Sequence, residues 1–451
     1  MSASQQVNSE TVVALLSEVL GSEMLGDSAI PWEAVLPGQQ ERVMAAIATD
    51  KPPACIVFPE TIDLLSQVMA LANRERWRVL PMGQGSKLSW GGLAEGIDVV
   101  VSTARLTRVV EHAVGDFTVT VEAGMKVADL QQLLAAEGQF LAVDPSFGSE
   151  ATVGGLVATA DTGSLRQRYG GLRDMLIGLQ LVRYDGALAR AGGRVVKNVA
   201  GYDLMKLMTG AYGSLGILSE LTFRLYPLAV ASRSLILTGG EMAIEKAVAE
   251  VRYSGLTPVA LDMTLAGLTA ELLGEDQDKE QRPFMSLVAR FQGIPDGVDE
   301  QTERLKKIAT THGLGLQQLE GEPEAGFWRQ MSDRVRPDTV LCKVGMRPSS
   351  LPALLAQLVP GSCEVKVHSS SGLGWIQWPA DVVNFGQVLE KVRSHTQDNG
   401  GFVSILQAPA ELKQSVDVWG YTGNALKVMS DIKEKFDPHR LLSPGRFVGG
   451  L

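Results

Sequence analysis

Only three cysteines occur in 451 residues, Cys55, Cys342 and Cys363, and no two form a CxxC pair. An iron–sulfur cluster or a cysteine-based zinc site held by this chain alone is therefore not expected. Scattered cysteines fit a reducing compartment. Histidine is as scarce, with five residues and none before His112. No uninterrupted apolar run approaches the roughly 18 residues of a membrane span, so no direct membrane span is expected. The first residues, MSASQQVNSETVVALLSEVL, lack a basic leader followed by an apolar run, so the cytoplasm is the default address. Positive charge is short too: 41 Lys and Arg stand against 51 Asp and Glu, for a net charge of −10. That balance argues against nucleic acid, which needs a basic face. It also means that any bound phosphate is held by local N–H groups or individual basic side chains, not by the global field.

What is present is an ordinary globular composition, 45% hydrophobic and 20% charged, long enough for two or three domains at about 100–200 residues each. The 48 glycines concentrate between residues 83 and 216. Periodicity predicts helices over residues 9–20, 39–49 and 126–137, the last with Val127, Leu130, Leu133 and Leu134 inward. A helix opening after Pro59-Glu-Thr61 would set Ile62, Leu65, Val68 and Ala72 on one face. Short strands are expected at 54–58, 78–81, 98–102, 106–112 and 118–122, with residues 24–38 as a linker. Asp185-Gly186 marks a hairpin between strands 176–184 and 187–192. After about residue 229 glycine thins out, and charged helices (241–253, 299–312, 350–358) alternate with strands such as 286–291 and 364–368. Strands and helices mix without a strict βαβ rhythm, so the fold class expected is α+β.

Four segments carry chemistry. Pro81-Met82-Gly83-Gln84-Gly85-Ser86 ends a strand with alternating glycines, which allows successive N–H groups to converge on an anion; a plain glycine turn explains it as well. It is not the Rossmann fingerprint, since no third glycine and no helix follow. In Pro145 … Thr152-Val-Gly154-Gly155-Leu-Val-Ala158, paired glycines let the backbone approach a ligand or let a helix pack closely. Arg166, Arg168 and Arg173 cluster in an acidic chain, where they suit phosphate or a planar ring or internal salt bridges. Lastly, Gly193-Arg-Val-Val-Lys-Asn-Val-Ala-Gly-Tyr-Asp203 leads through a short helix and a glycine turn to Gly216-Ile217.

Taken together and in this order, these segments resemble the FAD-binding domain of the vanillyl-alcohol oxidase and p-cresol methylhydroxylase family, over about residues 50–228. The Gly193–Asp203 phrase resembles more particularly the glycolate oxidase E-subunit group, and Phe436-Asp437-Pro438 … Ser443-Pro444-Gly445 resembles the tail of FAD-linked lactate and glycolate dehydrogenases. The resemblance implies a two-subdomain FAD-binding domain at 51–228, a helical extension at 1–50, an α+β cap domain at 229–424 and a tail, 425–451, returning to the FAD domain. It implies FAD held by Pro81, Met82, Gly83, Gln84, Gly85 and Ser86 at the pyrophosphate. Pro145, Thr152, Gly154, Gly155, Ala158 and Arg168 would lie along the flavin and phosphates, and Gly216 and Ile217 near the adenine. The FAD would be non-covalent, because no histidine precedes His112. The activity implied is oxidation of a small 2-hydroxy acid as one subunit of a glycolate dehydrogenase. A catalytic flavoprotein subunit and an iron–sulfur subunit would be its partners, and attachment to the inner membrane would run through them. A self-sufficient D-lactate or glycolate dehydrogenase and a structural subunit without flavin are the alternatives.

Two departures bear on catalysis. Relatives carry Gly-Asp-Gly-Asn-x-His in the second domain, where this chain has Val367-His368-Ser-Ser-Ser-Gly372-Leu-Gly374-Trp375. The tail asparagine is replaced by Ser443. Oxidising a 2-hydroxy acid requires a cation for the carboxylate and a base for the hydroxyl proton. His368 is the one base in context, though a core role suits it as well, and Arg290, Arg329, Arg334, Arg336 and Arg347 are scattered cations. No metal site is expected. The sequence thus predicts a flavin cradle without a substrate clamp, and a lone chain that is catalytically silent.

Overall fold

The computed structural model describes residues 9–21, 28–194, 201–275, 284–358 and 362–451. The middle of the Gly193–Asp203 phrase, residues 195–200, lies outside the described residues, as does most of the expected linker before residue 28. The remaining chain forms two mixed layers of sheet and helix followed by one large sheet.

The first sheet contains β1 (Ala29–Pro31), β2 (Cys55–Val57), β3 (Val79–Met82) and β4 (Val99–Ser102) in the order β1-β2-β4-β3. The last three are parallel, and β1 joins the edge antiparallel. Sequence reading places 29–31 in a linker; three residues are too few for a periodic signal, and only pairing with β2 makes them a strand. The helix before β2 runs Pro37–Met44, shorter than the expected 39–49 span. The helix Ile62–Glu75 starts where the Thr61 hydroxyl accepts from Leu64 N–H, as an N-cap does. It buries Ile62, Leu65, Val68 and Ala72 and ends at Arg76 with φ +60°.

The second sheet, order β5-β6-β10-β8-β9, is antiparallel: β5 (Val109–Ala113), β6 (Thr118–Glu122), β8 (Leu176–Val182), β9 (Leu188–Gly192) and β10 (Ile217–Arg224). A two-stranded ribbon, β7 (Gln139–Phe140) with β11 (Tyr226–Pro227), closes it. The β8–β9 turn is the expected Asp185-Gly186, and Gly186 sits at φ +84° with no room for a Cβ, 2.5 Å from Ser66 O. In the helix Val127–Ala135, Val127, Leu130 and Leu134 are buried as expected, but Leu133 is 36% exposed.

The third sheet has eight antiparallel strands, in the order β15-β12-β14-β13-β17-β18-β16-β19. They are β12 (Ala231–Gly239), β13 (Ala260–Leu265), β14 (Met285–Gly293), β15 (Gly315–Glu320), β16 (Thr339–Gly345), β17 (Glu364–His368), β18 (Leu373–Pro379) and β19 (Phe402–Gln407). Side chains alternate across it with period two. Val340, Cys342, Val344, Val365, Val367, Ile376 and Trp378 pack against the helices Glu241–Tyr253, Pro295–Thr311, Leu351–Gln357 and Phe385–Asp398. The intervening residues therefore point to the opposite face, where Leu341, Trp375 and Leu406 join Trp90 and Tyr212 of the first half in one apolar cluster.

The chain then returns. The helix Leu426–Phe436 packs Ile432 and Phe436 against the second sheet's core. Leu442 pairs with Val79 beside β3, and Glu95 N–H donates to Pro444 O. Among the described residues no helix is long and apolar enough to cross a membrane.

Candidate functional site

A cavity opens at the end of β3. Its empty space is about 830 Å³, counting the part open to solvent. Pro81, Met82, Gly83, Gln84, Gly85 and Ser86 form one wall; Thr152, Gly154, Gly155 and Ala158 form another, and Gly216 and Ile217 a third. Three segments more than 50 residues apart in the chain thus converge on one cavity. The N–H groups of Gly83, Gln84, Gly85 and Ser86 make no hydrogen bond among the described residues, which leaves four consecutive donors beside the cavity. Gly85 has φ +84°, the conformation such a nest requires.

The glycines differ in what they do. Gly83 admits no Cβ, because one would lie 2.2 Å from Thr152 Oγ1. Gly154 is small for packing: a Cβ there would meet Ala123 O at 2.8 Å. Thr152 caps the helix Val153–Thr159 by accepting from Gly155 N–H at 3.2 Å.

Two expected residues are absent from this wall. Pro145 lines neither cavity, although its neighbours Asp144 and Ser146 line a second one. Arg168 is exposed on the short helix Arg166–Tyr169 and also lines neither; its helix mate Arg166 points into the second cavity instead.

Sequence reading missed two buried cations of the first cavity, Lys87 and Arg446. Arg446 arrives with the returning tail and donates from Nη2 to Trp90 O at 3.1 Å and to Leu88 O, while its Nε has no partner. Burial lowers its pKa to about 10, opposed by Tyr212 beside it. Lys87 Nζ lies 3.2 Å from Asp161 Oδ2 without an aligned hydrogen bond. Burial lowers its pKa too, with Asp161 pulling the other way. Orphaned buried donors of this kind are costly unless something accepts from them.

The second cavity meets the first at Thr159, which lines both, and at the Lys87–Asp161 pair, which spans them. Its floor is the third sheet, and its roof is the segment from Asp144 to Arg166. Lys343 on β16, Trp375 on β18 and Lys366 on β17 are direct cross-strand partners and form one row, with Lys366 Nζ 5.8 Å from the Trp375 ring centre. In the adjoining row His368 is registered with Asp262 on β13. His368 Nδ1 is 2.7 Å from Asp262 Oδ1, and the Ser164 hydroxyl donates to Asp262 Oδ2 from the other half of the molecule. Burial opposes ionisation of Asp262, yet His368, Lys366 and Ser164 together hold its carboxyl below the ordinary value. Asp144 behaves oppositely: burial raises it to about 6 against the pull of Lys366 and of the Leu165 and Ser164 N–H groups.

The structure therefore brings His368 into a charged cavity. The five arginines proposed as cations are all committed elsewhere: Arg290 to Glu324, Arg329 to Glu322, Arg334 and Arg336 to Glu364, and Arg347 to Asn399 O. In their place stand Lys343, Lys366 and Arg166. The signal that would have found the lysines is the alternation Val365-Lys366-Val367-His368 and Cys342-Lys343-Val344: the valines and the cysteine share the helix-covered face, so the polar residues share the other.

The chain resembles known proteins over most of its length. Residues 53–192 match the model of the FAD binding domain. The chain is 23% identical over 422 residues to glycolate oxidase subunit GlcD of Bacillus subtilis (strain 168), covering 87% of this chain and 88% of that one. It is 26% identical over 397 residues to glycolate oxidase subunit GlcE of Escherichia coli (strain K12), covering 86% and 97%. Among solved structures it superposes on p-cresol methylhydroxylase with substrate bound at a TM-score of 0.73, with 15% identity and 98% and 97% of the two chains covered. The fold is thus the α+β fold of p-cresol methylhydroxylase type, and the cofactor is FAD. The first cavity suits that group: four free amide donors and two buried cations with unfilled donors match an anionic dinucleotide.

Proposed function

We propose that this chain, an FAD-dependent oxidoreductase, oxidises a small 2-hydroxy acid such as glycolate or D-lactate to the 2-oxo acid, as the FAD-carrying subunit of a glycolate-dehydrogenase-type complex. The observation that carries the reading is the run of four unpaired N–H groups at Gly83–Ser86, set in a cavity wall at the end of β3. The names of the relatives, glycolate oxidase subunits, support the substrate class and a multi-subunit setting.

In this reading Gly83–Ser86 hold the pyrophosphate, and Thr152, Gly154, Gly155 and Ala158 lie along the flavin and its phosphates. Gly216 and Ile217 lie near the adenine, and Arg446 and Lys87 add positive charge. FAD, when bound, accepts the two electrons taken from the substrate. An iron–sulfur subunit and a second flavoprotein subunit are the partners that would carry them onward. The attachment is non-covalent: none of His112, His312, His368, His395 and His439 lines the first cavity. Trichloroacetic acid should then release all the yellow colour of the purified chain, and the released flavin should run as FAD on chromatography. Colour kept in the pellet would disprove the non-covalent attachment, and FMN or no flavin at all would disprove the cofactor site.

A further inference from the structure

We infer that the second cavity is this chain's own carboxylate-binding and proton-accepting site. The row Lys343–Trp375–Lys366 would clamp the substrate carboxylate, and His368 would take the hydroxyl proton. The redox part rests on the FAD reading above; the anion-binding part does not.

The argument begins with charge. Asp161 is already engaged by Lys87, Asp262 by His368 and Ser164, and Asp144 by two backbone N–H groups. Lys343, Lys366 and Arg166 are left, and none of them makes an ion pair within 4 Å among the described residues. Lys366 is 4% exposed. A buried ammonium without a counter-ion is unfavourable, and evolution can remove it by exchanging one residue. Lys366 and the half-buried Lys343 lie on one face, two strands or about 10 Å apart in the sheet and on either side of Trp375, where a small anion could meet both. Burial pulls the pKa of Lys343 down, Asp161 opposes and Arg166 adds to the fall, so an anion bound beside it would favour its charged form.

The proton acceptor follows from hydrogen bonding. With Nδ1 of His368 engaged by the Asp262 carboxylate, the ring donates there and leaves Nε2 as its acceptor. Asp262 is fully buried and gripped by Ser164, so the imidazole is held in one orientation against the carboxylate. The step balances simply. The hydroxyl proton would pass to His368 Nε2 as the C–O bond becomes a carbonyl, and FAD, when held by the first cavity, would supply the acceptor for the hydride leaving the α carbon. Trp90, Leu373 and Trp375 bound the space, which favours acids with short side chains.

The test uses the full purified chain, with oxalate as a non-reacting probe followed by tryptophan fluorescence, and the flavin-to-protein ratio measured on the same samples. Wild type should bind oxalate saturably. Lys366→Met and Lys343→Met should each weaken binding at least tenfold, and Lys366→Arg should restore it to within threefold of wild type. His368→Asn should bind oxalate within threefold of wild type, while dye reduction by glycolate or D-lactate loses the rise with pH that a titrating base gives. No binding by wild type, or unchanged binding in both methionine variants, would overturn the anion site. An unaltered pH profile in His368→Asn would overturn the proton acceptor. If the chain contains no flavin and still binds oxalate through the lysines, the FAD reading fails and the anion site stands.

Discussion

Gly85 shows how a single residue supports a cofactor wall. At φ +84° its nearest Cβ neighbour would be Arg42 Cδ at 3.7 Å, so space is available and only the backbone conformation objects. A branched side chain at positive φ costs on the order of 1–3 kcal/mol, and relaxing it would reorient the unbonded Gln84–Ser86 amides beside the cavity. Gly85→Val is therefore expected to lower the flavin-to-protein ratio at least fivefold while far-ultraviolet circular dichroism stays that of wild type. An unchanged flavin ratio would make Gly85 an ordinary turn residue. This position was legible in the sequence, because alternating glycines after a strand carry their own conformational signature. Lys87 and Arg446 were not: nothing local marks a lysine or arginine as buried, and both lie under parts of the chain remote in sequence.

At the level of elements, the returning tail acts as a clasp. Lys433 on the helix Leu426–Phe436 donates to Asp437 Oδ2 at 2.6 Å, to Ser214 O and to Leu442 O, and Asp437 accepts from the N–H groups of Leu441 and Leu442. Both side chains are almost fully buried. Removing one partner of a buried pair leaves the other charge uncompensated, at about 3–5 kcal/mol. Asp437→Ala should lower the melting temperature by several degrees. It should also loosen the Val79–Leu442 pairing and the seating of Arg446, so flavin should be lost at a lower temperature than in wild type, as read by flavin fluorescence on heating. A melting curve equal to wild type would show that the tail is not a clasp. The Phe436-Asp437-Pro438 phrase is legible in the sequence as part of a resemblance; the partner of the helix before it is not, since Ser214 lies 219 residues earlier.

At the level of the whole molecule, the second cavity exists only because the third sheet closes against the segment Asp144–Arg166, and its charge balance belongs to neither half alone. Asp144 from the first half faces Lys366 and, more weakly, Asp262 from the third sheet, with His368, Lys343, Arg166 and Asp161 lining the same space. Burial raises the Asp144 pKa to about 6. It therefore carries negative charge above that pH and loses it as the pH falls through about 6. Oxalate affinity should accordingly rise severalfold between pH 7.5 and about 5.5, and Asp144→Asn should flatten that rise; the same slope in both proteins would exclude Asp144 as its source. The sequence by itself determined the α+β class, the order of most strands and helices, and the glycine segments of the first cavity, because periodicity and conformational freedom are properties of short stretches. It gives no sign of the lysine row proposed as a clamp, because that row has no local motif. Lys343, Lys366, Asp262, His368 and Ser164 are scattered over more than 200 residues, and only cross-strand register and the closure of two halves bring them to one place. Burial then decides what they do: in water these would be ordinary charges, and in a cavity where Lys343, Lys366 and Arg166 hold no close ion pair among the described residues they suit an anion.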